Sequence, residues 1–236
     1  MKIAADMHCH TIASTHAFST VIENVNQAKL KGIKAIAITD HAPAMPDSPH
    51  IWHFECLGEI PDFIDGVRVY KGAEVNILDC DGSVDLPERL LQILDFVIAS
   101  FHNPTFKPKT IEEHTRAWIN IANNPYIDVI GHSGGHQYAY DYEEVIPIFK
   151  EKGKLVEINA HTYMLRKQDE DNCKQIAQIC KKYMVPIIVN SDAHFAYNIG
   201  EVSKPMKMLS EIGFPEELIV NLNIESLNNY LNNRKR

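Results

Sequence analysis

Residues 7–10 read MHCH: His8 and His10 flank Cys9 at the end of a short apolar run, and His16 follows six residues after His10. Comparable residues close later apolar runs, namely Asp40 with His41, Glu74, His102, His132, and Asp192 with His194. Neutral imidazoles mixed with carboxylates suit zinc, and also manganese or iron. On a strand, residues i and i+2 share a side, so His8 and His10 can meet one ion while Cys9 turns away. Asp192 and His194 repeat that spacing. On a helix each pair would splay by about 200°. H-x-H alone is weak evidence, because a single histidine at a strand end is usually a hydrogen-bonded structural residue. Seven histidines and two acids, however, exceed what one four-coordinate ion takes. They predict a cluster of two or three ions with a carboxylate as bridge.

Such convergence needs a scaffold that gathers strand ends. Short β-branched runs at 2–7, 34–40, 67–75, 96–101, 128–132, 154–160 and 186–192 read as strands. Helical patterns fall near 20–31, 57–65, 86–94, 110–123, 142–152, 171–184 and 201–212, with a last one near 224–233. Strands that alternate with helices and are apolar on both faces imply βαβ units and a parallel sheet. With no Ser/Gly-rich linker, they predict one α/β domain over 1–236, a closed, TIM-barrel-like (β/α)7 barrel. An open doubly wound sheet is the alternative. In a barrel the carboxyl ends of all strands meet at one face, where active sites are built. The candidate ligands lie at those ends. The proline- and aromatic-rich stretch 42–56 reads as a long loop over that face.

Composition narrows the classes. The 236 residues are 45% hydrophobic and 23% charged, as in an ordinary globular protein. The net charge of -8 argues against a surface made for nucleic acid. No apolar run is long enough for a membrane span, and the first residues do not read as a secretory leader. The five scattered cysteines form no C-x-x-C pair and suit a reducing compartment, so the expected location is cytoplasmic. G-x-G-x-x-G is missing, which removes support for a dinucleotide fold. Self-association into a homo-oligomer stays open on sequence alone.

The order H-x-H, His16, D-H, Glu74, His102, His132, D-x-H resembles the PHP (polymerase and histidinol phosphatase) superfamily of metallohydrolases, from residue 2 to about 200. The stretches SFHNP, EINAH, EDNC and NSDAH look closest to the YcdX-type phosphatases. The resemblance implies a distorted (β/α)7 barrel and three divalent ions, zinc first, with manganese or iron as alternatives. It implies one ion on His8, His10, Glu74 and Asp192, a second sharing Glu74 and adding His102 and His132, and a third on His16, His41 and His194.

Closely spaced ions suit a small phosphate monoester, because they activate water and neutralise phosphoryl oxygens. Asp192, Glu74 and Asp40 are the candidate catalytic carboxylates, with Asp40 either shuttling a proton or orienting an imidazole. Arg166 is the leading cation for the substrate phosphate, and Lys107 and Lys109 come next. His136 and His161 lie near the right face and are candidate substrate contacts, whereas His114, inside a helix, reads as structural. The competing functions are a histidinol-phosphate phosphatase, a metal-dependent phosphodiesterase or exonuclease, and a metal-binding module without turnover.

Overall fold

Eight strands form one sheet in the computed structural model, which describes residues 2–165 and 167–234. They are β1 (Ala5–Cys9), β2 (Ala35–Ile38), β3 (Phe63–Ile64), β4 (Val67–Asn76), β5 (Phe96–Ser100), β6 (Val129–Ile130), β7 (Leu155–Asn159) and β8 (Ile187–Asn190). Seven run parallel in the order β1-β2-β4-β5-β6-β7-β8, and β3 is an antiparallel addition to β4. The helices are α1 (Val21–Lys31), α2 (Trp52–Cys56), α3 (Glu88–Leu91), α4 (Ile111–Asn123), α5 (Tyr142–Glu151), α6 (Thr162–Leu165), α7 (Glu170–Tyr183), α8 (Ser203–Glu211) and α9 (Ile224–Asn233). Alternation of helix and parallel strand gives the expected seven-stranded barrel.

The barrel is nearly closed, and its seam explains the distortion. Between β1 and β8 side chains stand in for much of a regular ladder, since buried backbone groups need partners. Met7 N–H donates to Asn190 Oδ1 at 3.0 Å, and Ser191 N–H to Asp6 Oδ1 at 3.0 Å. Asn221 Nδ2 donates to the carbonyls of Ala5 and Val189, at 2.8 and 2.6 Å. Among the described residues, backbone meets backbone across this seam near the site, where His10 N–H donates to the Ala193 carbonyl at 2.9 Å.

Alternation along the strands sorts the side chains. Val97 and Ala99 of β5 join the large core with Trp118, Ile121 and Phe149 of the helices, while Phe96 and Ile98 join a second cluster. Met7, Val129, Leu155 and Ile188 share that second cluster, which Leu227 of α9 joins. Residues of the same strand parity, two or more positions further on, are polar: Glu74, Asn76, Glu157, Asn159 and Asn190, all buried. The apolar cluster thus leads into a polar layer at the carboxyl ends of the strands. In β1 the register shifts between Asp6 and Cys9, so Met7 and Cys9 enter different clusters. Such an irregularity re-aims side chains, here at His8.

The helices that carry the strands are firmly started. Thr20 and Thr110 form capping boxes with Glu23 and Glu113, each worth about 1 kcal/mol. One expectation holds only in part: of 57–65, Leu57–Glu59 alone are helical, as a single 3-10 turn. A short turn at Leu57–Glu59 leads into β3, and Asp65 and Gly66 follow at φ 51° and 85°. That Asp-Gly pair with two positive φ values is the two-residue hairpin signal, which outweighs the weak helical pattern. Within 42–56, residues Trp52–Cys56 form α2. Among the described residues no helix is long and apolar enough to cross a membrane.

Candidate metal centre

Glu74 projects from β4 into the barrel and is almost wholly buried. Its two oxygens face different imidazoles. Oε1 lies 2.9 Å from His132 Nε2 and 3.3 Å from His102 Nε2. Oε2 lies 3.5 Å from the Nε2 atoms of both His8 and His10 and 2.9 Å from His41 Nδ1. Asp192 Oδ1 completes the His8–His10 side, at 3.5 and 3.1 Å. His16 and His194 meet through their Nε2 atoms at 2.8 Å, beside His41 and His10. All nine expected residues are therefore brought together. His161 joins them, its Nδ1 3.5 Å from Asp192 Oδ2 in a group with His194.

Tautomers decide what such contacts mean. His8 Nδ1–H donates to Glu157 at 2.8 Å, and His102 Nδ1–H to Asn76 Oδ1 at 2.7 Å. His16 Nδ1–H donates to Asp47, and His194 Nδ1–H to the Asp192 carbonyl at 2.9 Å. With the proton held at Nδ1, each neutral ring turns an Nε2 lone pair inward. At 2.8 Å, His16 and His194 would then set lone pair against lone pair. Nε2 of His102 likewise faces a carboxylate oxygen, acceptor against acceptor. In addition, His10 Nδ1 is buried without a hydrogen-bond partner, and His41 Nδ1 meets Glu74 Oε2 only off hydrogen-bond geometry. Converging lone pairs without protons between them fit metal cations, and the outer partners are of the type that orients metal-bound histidines.

Charge agrees with that reading. Burial would raise Glu74, but His102, His8 and His41 outweigh it and hold its carboxyl well below the ordinary value. Asp192 behaves alike: burial opposes ionisation, and His8, His10 and His161 prevail. Burial, reinforced by His41, pushes His10 down to about 3, and burial takes His102 to about 4 despite Glu74. These two rings are neutral, as ligands must be. His8 goes the other way. Although burial lowers it, Glu157, Asp192 and Glu74 lift it well above its usual value, so positive charge is favoured where it sits.

The backbone is bent to make this geometry. Among the described residues four non-glycine positions have positive φ, and two of them are His132 (24°) and Asp192 (54°). Strain of this kind collects at functional sites. Just before His132, Gly131 admits β5: a Cβ there would collide with Ser100 Oγ and Ile98 Cγ2. Glu157 Oε2 accepts from His132 N–H at 2.9 Å and from Asn159 Nδ2 at 3.1 Å, while Asn159 Nδ2 also reaches Asp192 Oδ2 at 3.1 Å.

Other expected residues lie elsewhere. Asp40 is buried, but its oxygens accept from Thr11 N–H and Oγ1, both at 2.7 Å, and from Ser14 Oγ at 2.8 Å. His53 Nε2 stands 3.4 Å from it. The carboxylate is thus occupied by the loop that carries His10 and His16 and does not line the cavity. Lys107 is exposed and donates to Asn103 at 2.8 Å, and Lys109 pairs with Glu113 at 3.5 Å. Arg166 lies outside the described residues. His114 uses both ring nitrogens structurally, donating to the Ala139 carbonyl at 2.9 Å and accepting from Lys109 N–H at 2.8 Å.

The sequence reading missed Glu157, Asn76, Asn159 and Asp47. Glu157 did carry a signal, as a carboxylate in the middle of the apolar strand LVEIN. A cavity of about 470 Å³ opens over the cluster, and Phe101, Tyr138 and Leu165 are among its lining residues.

A PHP-domain family model matches residues 6–161, and a PHP-associated model matches 170–203. A probable phosphatase of Acetivibrio thermocellus is 46% identical over 235 residues, covering 100% of this chain and 98% of that protein. A probable phosphatase of Caldanaerobacter subterraneus is 44% identical over 238 residues, covering 100% and 94%. Among solved structures, the histidinol phosphate phosphatase of Lactococcus lactis, complexed with zinc, L-histidinol and phosphate, superposes with a TM-score of 0.63. It covers 90% of this chain and 94% of that one at 18% identity, a likeness of fold.

Proposed function

The chain belongs to the PHP family and is a phosphatase, and we propose that it hydrolyses phosphate monoesters of small metabolites at a centre of three divalent ions. The observation that carries this reading is the division of Glu74, whose two oxygens each address a separate set of imidazoles. One ion would take His8, His10, Glu74 and Asp192, and a second Glu74, His102 and His132. The third would take His16, His41 and His194, with His161 within reach. The donor set favours zinc, with manganese or iron as alternatives.

Bound there, the ions would supply a hydroxide at neutral pH and neutralise phosphoryl oxygens. The chain's own contribution is preorganisation. Glu157, Asn76 and Asp47 hold imidazoles in the tautomer that presents Nε2. Asp40 fixes the loop bearing His10 and His16, a positioning role in place of proton transfer. Phe101, Tyr138 and Leu165 offer an apolar wall to the organic part of the ester. Arg166 is the proposed anchor for its phosphate, and Lys107, tied to the rim residue Asn103, adds positive charge at the mouth. We place the enzyme in the cytoplasm, acting on a soluble substrate.

The test is phosphate release from a panel of monoesters, L-histidinol phosphate among them, beside bis(p-nitrophenyl) phosphate. Metal-loaded and chelated protein are compared. Metal-dependent turnover of monoesters alone is expected. Cleavage of the diester alone would replace this reading with a phosphodiesterase, and bound metal without any turnover would replace it with a non-catalytic module.

A further inference from the structure

Among the described residues, ten histidine and carboxylate side chains line the cavity over the cluster, and the contacts of nearly all of them are accounted for. Seven are the expected ligands His16, His41, Glu74, His102, His132, Asp192 and His194, and His161 packs against Asp192 and His194. Two remain, His136 and Asp169, and they form a pair. His136 Nδ1–H donates to Asp169 Oδ1 at 2.7 Å, and His136 N–H donates to the same oxygen at 3.1 Å. The Asp169 side chain is 2% exposed and that of His136 50%. A buried carboxylate thus fixes one edge of a half-exposed ring that lines the cavity. Among the described residues nothing takes His136 Nε2, and His136 belongs to no group able to hold a metal ion.

We propose that His136 is the general acid that protonates the leaving-group oxygen, with Asp169 as its positioning residue. This rests on the phosphatase reading and supplies the proton donor that reading lacks. Glu74 and Asp192 are committed to imidazoles, and Asp40 to Thr11 and Ser14. A carboxylate on Nδ1 fixes the ring and leaves Nε2 as the nitrogen free to meet a substrate, the arrangement by which an imidazole is oriented in acid–base catalysis. As the P–O bond to the ester oxygen breaks, its electron pair stays on that oxygen, which takes the proton from His136 Nε2. The oxygen of water forms the new P–O bond, giving alcohol and inorganic phosphate. The proton shed by that water restores the imidazolium through solvent.

A poor leaving group needs this proton and a good one does not. The experiment therefore compares an alkyl ester, glycerol 2-phosphate, with p-nitrophenyl phosphate on metal-loaded His136→Asn and Asp169→Asn. For His136→Asn, kcat on the alkyl ester falls by about 100-fold or more while kcat on the aryl ester holds within about threefold. Asp169→Asn shows the same selectivity at about a tenth of the size. Both variants keep the metal content of the parent. Equal losses on the two esters, or no loss on either, overturn the proposal. Loss of metal in His136→Asn overturns it too, by making His136 a ligand. A parent enzyme inactive on both esters brings down the phosphatase reading itself, and this proposal with it.

Discussion

At the Glu74 end of the cluster His8, His10 and Glu74 are buried, and the outer nitrogens of His8 and His102 are held by the buried side chains of Glu157 and Asn76. At the other end the His16 side chain is 47% exposed, and the Asp47 that holds it is 25% exposed. The two ends use the same chemistry in different surroundings. In the first, ligands are fixed by strands whose neighbours cannot yield. In the second, His16 rides on the loop after β1 and its partner on the loop after β2. The comparison teaches that ligand type alone does not set how tightly an ion is held. The deep end should bind tightly and the shallow end should exchange.

The largest expected effect lies at the junction of the deep end. Glu74→Gln removes the anionic bridge and should cost two bound ions, with kcat falling by about a thousandfold or more. Metal analysis with kinetics checks this, and full metal content at full rate would break the comparison at its centre. Next comes the outer partner in each half. Glu157→Gln should weaken metal binding about 10- to 100-fold, whereas Asp47→Asn should weaken one ion only, by about tenfold or less. Competition with a chelator measures both, and equal effects would erase the distinction.

A smaller effect concerns pH. His10 at about 3 and His102 at about 4 lie below their ordinary value of 6.5. In chelated protein, the unfolded chain therefore binds more protons than the native one as pH falls below about 6.5, and stability falls with it. His8 and His41, raised in the native state, pull the other way near pH 7 and stop contributing once the unfolded chain's imidazoles are charged as well, so the two lowered rings set the slope towards pH 5. Urea midpoints from pH 7 to pH 5 should decline in chelated protein, and a flat profile would contradict the burial of neutral rings. The smallest effect on rate belongs to the histidine used only for structure. His114→Leu should cost about 1–3 kcal/mol in stability by stranding Lys109 N–H and the Ala139 carbonyl, with kcat within about twofold of the parent.

The deep end was the more legible of the two in the sequence. His8, His102 and His132 close β-branched runs, and a parallel barrel brings such ends together by its topology. The bulge that aims His8 was hidden, because a register shift depends on the β1–β2 pairing and not on local composition. Asn76 and Asn159 look like ordinary turn-formers until the barrel places them against imidazoles. Asp47 sits in a loop without periodicity, so nothing local tied it to His16. The pair His136–Asp169, 33 residues apart on two different loops, has no sequence signature at all. By contrast, the Asp65-Gly66 hairpin was readable, and the weak helical pattern around it obscured the turn.

The most direct measurement is graded chelation of the metal-loaded protein, with metal per chain and phosphatase rate followed together. The account predicts three ions, one of which leaves first at low chelator, and a form with two ions that persists until the chelator is strong. In Asp47→Asn the first step should shift to lower chelator or vanish, leaving the second step in place. Release of all the metal in a single step, unchanged by Asp47→Asn, would contradict a centre built from one tight end and one exchangeable end.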